Sequence, residues 1–228
     1  APLGVDGQVS YAPGGVYTLD VRSNSIQHCE RLNNPTLIFG KSGNDKAYVK
    51  ITIDKDSTIT KNLSASNRFN TLQLANRNPK RIKLEFHNSD SIPFYGVNFD
   101  DDRGVHVDNC SMRGNSGLPL SLFNVSLMQS FDEYLHYDLI ILQYGTNVLH
   151  HSTKNYDWYE KKMHAVVEHL RTCFPNADFL IVSVGDKGYK EDMEMKTDSA
   201  VYPLLKSQRN YARSSGSSFI NLFNLMGG

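Results

Sequence analysis

The spacing of apolar residues changes near residue 100 and divides the chain into two parts. Before this point, apolar and polar residues alternate in short runs such as AYVKITID (47–54) and RIKLEFHN (81–88). A period of two residues is typical of strands that bury one face, and stretches rich in Gly, Pro, Asn and Asp separate the runs as turns do. We therefore predict that residues 1–98 form an antiparallel, all-β sandwich.

Unbroken apolar runs and a helical pattern follow from residue 99 onwards. The runs DLIILQ (138–143) and DFLIVSV (178–184) are typical of parallel strands that are covered on both faces. One helix is predicted between these two strands and a second over 203–214. A third buried strand is predicted in SFINLF (218–223). Strands that alternate with helices predict an α/β domain over residues 99–228. The first helix is predicted from apolar residues that recur every three or four positions: Tyr159, Met163, Val166, Val167, Leu170 and Phe174.

The charge balance points to no strongly charged partner. Lys and Arg total 24, and so do Asp and Glu, which favours neither nucleic acid nor an anionic membrane surface. No apolar run approaches the roughly 20 residues of a membrane span. No spacing of His, Cys and carboxylates indicates zinc, and no glycine-rich phosphate loop occurs. We expect no metal, no other cofactor, no nucleic-acid partner and no membrane span, and we interpret Cys29, Cys110 and Cys173 as packing residues.

Two polar clusters follow predicted strands. DNCSMRGNSG (108–117) follows a short predicted strand, GVHV (104–107), and YGTN (144–147) follows the strand predicted over 138–143. Ligands of open α/β sheets bind outside the carboxyl ends of the strands. The Gly114 N–H can approach a ligand closely because glycine has no Cβ, and the Asn147 amide can donate hydrogen bonds. Together they would form two parts of an oxyanion hole.

A plainer interpretation of the same clusters involves no ligand. Gly114 and Gly145 would be turn glycines, and Asn147 would cap the next helix. Taken one at a time, each cluster favours this interpretation over the functional one.

The two clusters together resemble sequence blocks of the SGNH (GDSL-like) hydrolases, which are serine esterases. DNCSMRG (108–114) is similar to the second block of that family, and QYGTN (143–147) is similar to the third. The order of these motifs and of VGDKGY, LLKSQRNYA and NLFNLMGG resembles bacterial esterases that act on O-acetylated cell-wall polysaccharide. This resemblance implies a flavodoxin-like, three-layer α/β/α domain at 99–228. It also implies that the sandwich at 1–98 is an insert like a carbohydrate-binding module.

The resemblance also implies roles for particular residues. Gly114 and Asn147 correspond to oxyanion-hole residues, while Val148 stands where the family often has an aspartate. Residues expected to contact an O-acylated polysaccharide are Ser111, Tyr144, Gly145 and His150. The G-D-S block that carries the serine and the D-x-x-H block do not occur in this sequence. We therefore expect the domain to be incomplete, with its nucleophile and Asp/His pair outside this chain, which alone would be inactive. The family implies a secreted or periplasmic location.

A binding function is the alternative to an enzymatic one. The predicted sandwich contains Tyr11, Tyr17, Tyr48 and Tyr95, and tyrosines of this kind can stack on sugars, although aromatic residues on strands also form cores. The alternative function is therefore a carbohydrate-binding module attached to a catalytically inactive SGNH-like scaffold.

Overall fold

The computed structural model describes residues 3–12, 14–27, 29–55, 57–101 and 103–228. The chain forms two compact units, residues 1–110 and residues 111–228. The regular structure described in the first unit consists of strands, and the second unit contains both strands and helices. The mixed α/β class predicted from the sequence is confirmed. The roles assigned to 1–98 and 99–228, and the insertion of one into the other, stay predictions.

Eight strands of the first unit form two four-stranded sheets. They are β1 (Ser10–Tyr11), β2 (Val16–Arg22), β3 (Thr36–Phe39), β4 (Tyr48–Ile53), β5 (Ser57–Asn62), β6 (Asn70–Gln73), β7 (Arg81–His87) and β8 (Pro93–Asn98). The strand orders are β1-β8-β3-β6 and β2-β7-β4-β5. All paired neighbours run antiparallel.

The two-residue period of the sequence explains how these strands bury their side chains. In β7, Ile82, Leu84 and Phe86 are buried, whereas the residues between them are only half-buried. These three side chains belong to one hydrophobic core with buried residues of β3 and β4. Burial of each such side chain is worth roughly 1.5–3 kcal/mol, which fixes the register because a slip by one residue would expose all three.

Charged side chains pair within and between strands of the sheet β2-β7-β4-β5. Arg81 donates to the Asp20 carboxylate from Nε at 2.8 Å and from Nη2 at 2.6 Å. The ammonium groups of Lys83 and Lys50 lie 2.8 Å and 3.3 Å from the Glu85 carboxylate. The Arg81 guanidinium holds the pKa of Asp20 well below its usual value, and hydrogen bonds from Lys83 and Lys50 lower the pKa of Glu85.

We expect these pairs to make the chain less stable in acid. Both carboxyls have a lower pKa in the folded chain than the usual value of about 4, so their contribution is fully present at neutral pH. It is lost as the pH falls toward the folded-state pKa, because the unfolded chain binds these protons first. Urea midpoints at pH 7 and pH 3 measure this loss, which should be smaller for Asp20→Asn than for the wild type. Equal losses would show that the Asp20 pair contributes nothing.

The second unit contains a three-stranded parallel sheet in the order β13-β10-β9 and a β11-β12 hairpin. A 3-10 helix at Leu118–Leu122 precedes the other elements: α1 (Val125–Leu135), β9 (Leu139–Gln143), α2 (Asp157–Cys173), β10 (Asp178–Val182), β11 (Gly188–Glu191), β12 (Glu194–Thr197), α3 (Val201–Ser214), β13 (Ser218–Ile220) and α4 (Leu222–Leu225). The predicted alternation of strand and helix is confirmed. None of the described helices has the length and hydropathy that crossing a membrane requires.

The helix predicted between β9 and β10 forms as α2. Its apolar stripe, from Tyr159 to Leu170, is buried, and Phe174 directly after the helix is buried too. The helix predicted over 203–214 forms as α3 and begins two residues earlier, at Val201.

Three local predictions are wrong. GVHV forms no strand: the side chains of Val105 and Val107 are 91% and 85% exposed, because no described strand pairs with this segment and an unpaired strand is not stable. SFINLF is not one strand: the strand ends at Ile220. The side-chain oxygen Oδ1 of Asn221 then accepts from Asn224 N–H at 3.2 Å and caps the short helix α4. Among the cysteines, only Cys173 is buried.

One face of the parallel sheet is less covered than the apolar runs predict. In β9 the side chain of Leu142 is buried, but those of Leu139 and Ile141 are 50% and 56% exposed. Ile220 of β13 is also exposed, at 38%. Within the described residues, coverage on both faces therefore fails for β9, and the three-layer arrangement stays a prediction.

Candidate active site

The two polar clusters predicted from the sequence meet in the second unit. The Asn147 side chain donates a hydrogen bond from Nδ2 to the backbone oxygen of Asn115 at 2.8 Å. Asn115 is the residue directly after Gly114, and Asn147 lies in the turn that follows β9. The structure thus brings together the loops of the two residues predicted to bind an oxyanion, at the carboxyl end of a parallel strand.

Gly114 occupies a β-turn that requires positive φ. The Asn115 N–H donates to the Met112 oxygen at 3.2 Å, and Gly114, the third residue of this turn, has φ of 78°. No described atom lies within 4 Å of the position that a Cβ would occupy there, so backbone conformation rather than crowding explains the glycine. Within the described part of the chain, the exposed Gly114 N–H donates no hydrogen bond. It is therefore available to a ligand.

Gly145 turns the chain out of the sheet directly before Asn147. Its φ is 123°, and a Cβ built on it would lie 2.9 Å from Nε2 of the buried Gln208. Its carbonyl oxygen accepts from the N–H groups of Val148 and Leu149 at 2.9 Å and 3.0 Å. These bonds close a tight turn whose exposed side carries Asn147.

Asn147 does not cap a helix. The next helix is α2, which begins at Asp157 and has Tyr156 at its cap position. The plainer interpretation of Asn147 is therefore wrong, whereas the turn positions of Gly114 and Gly145 agree with both interpretations. A carboxamide has two N–H donors, and the bond to Asn115 uses one of them.

Two tyrosine side chains contact the residues that follow Gly114 in its loop. The ring of Tyr144 packs on Gly117, where an added Cβ would lie 2.9 Å from the Tyr144 Cγ. The hydroxyl of Tyr159, a buried residue of α2, donates to the Ser116 oxygen at 2.8 Å. Burial raises the pKa of Tyr159, so this hydroxyl keeps its proton.

Two histidines follow the Asn147 turn. The His150 backbone N–H donates to the Tyr156 hydroxyl at 3.1 Å, and its imidazole is exposed. The exposed imidazole of His151 lies 3.4 Å from the buried carboxylate of Asp198. A hydrogen bond from Ala200 N–H, with a smaller contribution from His151, lowers the pKa of Asp198 although burial opposes this. The ionised carboxylate can therefore fix the orientation of the His151 ring.

The other residues predicted to contact substrate lie on the same loops or beside them. Ser111 is an exposed residue at the start of the second unit. Tyr144 and Gly145 lie in the turn after β9, as described above, and His150 follows it. Their roles, like those of Gly114 and Asn147, stay predictions.

The sequence interpretation missed three polar residues near these loops: Gln208, Tyr159 and Asp198. Gln208 lies on the apolar stripe of α3 between Leu204 and Tyr211, and a buried amide in such a stripe is a detectable signal. Asp198 lies just before α3, where a helix-capping aspartate is common. Tyr159 was recognised, but only as an apolar member of the α2 stripe.

A cavity of about 630 Å³ lies elsewhere in the second unit. Residues 136–138 and 175–176, which precede β9 and β10, line it together with part of α1. It is therefore at the amino ends of the strands, opposite the polar clusters, and α/β sheets bind ligands at the carboxyl ends. Among the described residues, no group of three or more His, Cys, Asp or Glu is arranged to hold a metal ion.

Comparison with known proteins gives a similarity of fold. No protein-family model matches the sequence, and no curated protein matches it. A solved structure of a peptidoglycan O-acetylesterase is 17% identical to the chain, with a TM-score of 0.59 over 100% of this chain and 69% of that one. A family two carbohydrate esterase from Cellvibrio japonicus is 13% identical, with a TM-score of 0.31 over 95% of this chain and 82% of that one.

The similarity to the peptidoglycan O-acetylesterase shows a shared fold. It confirms, at the level of the fold, the resemblance predicted from the sequence motifs. The TM-score of the second structure is too low to support a conclusion about the fold.

Proposed function

We propose that this chain is part of a serine ester hydrolase that removes acetyl groups from a carbohydrate, with O-acetylated peptidoglycan or another cell-wall polysaccharide as its substrate. The observation that carries the proposal is the hydrogen bond from Asn147 to Asn115. This hydrogen bond joins the Gly114 loop and the Asn147 turn, and stabilisation of a tetrahedral intermediate would require both to lie beside the reacting carbonyl. The sequence motifs and the shared fold support the same function.

In the proposed reaction, this chain stabilises developing negative charge. A serine outside this chain attacks the acyl carbon, and a histidine, also outside it, takes the serine proton. The carbonyl oxygen becomes an oxyanion and accepts hydrogen bonds from the Gly114 N–H and the Asn147 Nδ2. When the intermediate collapses, the bond from the acyl carbon to the sugar oxygen breaks, and the histidine gives its proton to that oxygen, which leaves as a hydroxyl. Water then hydrolyses the acyl-serine, and acetate is released.

The existing hydrogen bond of Asn147 prepares it for this role. One N–H of Nδ2 is held by the Asn115 oxygen at 2.8 Å, which fixes the rotamer, and the second N–H, which donates no hydrogen bond to any described residue, can point at the oxyanion. A donor that is already oriented needs no reorganisation during the reaction, which is why such donors are effective. Ser111, Tyr144, Gly145 and His150 would then border the bound sugar. A cell-wall substrate implies that the protein acts outside the cytoplasm.

Acetate release from O-acetylated peptidoglycan by the complete protein tests the proposal. We expect release that depends on the ester, so the same polymer treated with mild alkali to remove its acetyl groups should yield none. A folded, complete protein that releases no acetate from peptidoglycan or from other acetylated polysaccharides would contradict the proposed function.

A further inference from the structure

We infer that Gln208 and Tyr159 are positioning residues that set the geometry of the Asn147 and Gly114 loops. Each is a buried polar side chain on a helix, and each bonds to the backbone of one loop. The inference concerns the same site as the proposed function and rests on it for the catalytic consequence, but not for the structural one.

Gln208 bridges the two strands at the point where their pairing ends. The last paired residues are Gln143 of β9 and Val182 of β10. Beyond them the Gln208 amide, which is fully buried, accepts from Val184 N–H at 2.8 Å and donates to the Tyr144 oxygen at 2.7 Å. A side chain of α3 thus supplies both the acceptor for Val184 N–H and the donor for the Tyr144 oxygen, and the strands can separate there without leaving these two groups unpaired.

This bridge fixes the start of the Asn147 turn. Tyr144 is the first residue after β9, and a Cβ built on Gly145 would lie 2.9 Å from Gln208 Nε2, so a side chain there would have to displace the Gln208 amide. The Gly145 oxygen then closes the turn on Val148 and Leu149. A continuous series of contacts therefore leads from Gln208 through Tyr144 and Gly145 to the turn that carries Asn147.

Tyr159 does the same for the Gly114 loop. Its hydroxyl, on the buried face of α2, donates to the Ser116 oxygen at 2.8 Å. Asn115 extends this support, because its side-chain oxygen accepts from Gly117 N–H at 2.8 Å and its backbone oxygen accepts from Asn147. The bond from Asn147 to Asn115 therefore links the Asn147 turn, which Gln208 of α3 holds, to the Gly114 loop, which Tyr159 of α2 holds.

The test uses NMR spectra of the 15N-labelled 228-residue chain. In Gln208→Met, which keeps the length but removes both hydrogen bonds, the Asn147 side-chain amide signals should shift and broaden. In Tyr159→Phe, the Gly114 backbone amide should shift most, with a smaller shift at Asn147 through the shared bond. The Asn147 signals are identified by their loss in Asn147→Ala.

The control variant is Leu170→Ala. Leu170 is buried in the last turn of α2, which leads into the amino end of β10 and so lies far from the loops. It should lower the melting temperature and leave the Asn147 and Gly114 signals in place. If Gln208→Met does not fold, Tyr159→Phe, which removes a single hydroxyl, carries the test, and an unshifted Gly114 amide in that variant would overturn the inference.

Activity of the complete enzyme separates this inference from the proposed function. A positioning role predicts that Gln208→Met lowers kcat roughly tenfold to a hundredfold, with KM little changed. Unshifted Asn147 signals in a folded Gln208 variant would overturn the inference, whatever the activity. Shifted signals combined with full activity of Asn147→Ala would leave the positioning intact and overturn only the oxyanion role of Asn147, whereas a folded, complete protein that releases no acetate would overturn the proposed function.

Discussion

If the proposed function holds, we expect Asn147→Ala in the complete protein to lower kcat about a hundredfold, which corresponds to the loss of roughly 3 kcal/mol of transition-state stabilisation. The effect should fall on kcat rather than KM, because the carboxamide bonds to the oxyanion more strongly than to the ground-state carbonyl. Steady-state acetate release at saturating and limiting substrate measures both constants.

The same variant should fold normally. The Asn147 side chain is exposed and makes one described hydrogen bond, to Asn115, so its loss should cost about 1 kcal/mol or less. A matched control is Asn210→Ala, which removes another exposed asparagine that donates one bond, to Glu160 at 3.0 Å. Asn210→Ala should keep full turnover. Unchanged turnover in Asn147→Ala would rule out the oxyanion role.

Gly145→Ala should destabilise the chain strongly, by about 3 kcal/mol, which is a large share of the typical 5–15 kcal/mol. An alanine at φ of 123° is strained, and its Cβ would lie 2.9 Å from Gln208 Nε2. Although Nε2 ends a flexible side chain, its hydrogen bonds hold it inside the protein. Movement would therefore break buried bonds at a further cost of about 1–3 kcal/mol each.

Gly114→Ala is the matched control for this prediction. Gly114 also has positive φ, but no described atom lies within 4 Å of its Cβ position. Only backbone strain remains, which costs about 1–2 kcal/mol. Urea unfolding of both variants measures the difference. Equal losses of stability would mean that contact with Gln208 does not restrict position 145.

Regular periodicity made much of the fold predictable. The alternation in β7 and the stripe in α2 each record a buried face directly in the sequence, and both elements form as predicted. The GVHV segment shows the limit of this reasoning. A strand needs a partner, and pairing is a non-local property that Val105 and Val107 do not encode.

The candidate site was predictable only in part. Gly114 and Asn147 are predicted because two short motifs together resemble a family; the structure brings their loops into contact, and their roles stay predictions. Gln208 was missed because a single glutamine in a helix has many ordinary explanations. Its importance depends on where β9 and β10 separate, which is a tertiary property. The sequence also did not reveal that α2 begins only at Asp157, which places Asn147 too far from the helix to cap it.

The uncovered flank of β9 has a practical consequence for work with this chain. Leu139 and Ile141 lie on the same face of β9 and present adjacent aliphatic surface to water in the folded state. Fluorescent dyes that report unfolding by binding exposed apolar surface would therefore also bind the folded chain and fluoresce. Denaturation curves for its variants are better followed by circular dichroism or by the emission of Trp158.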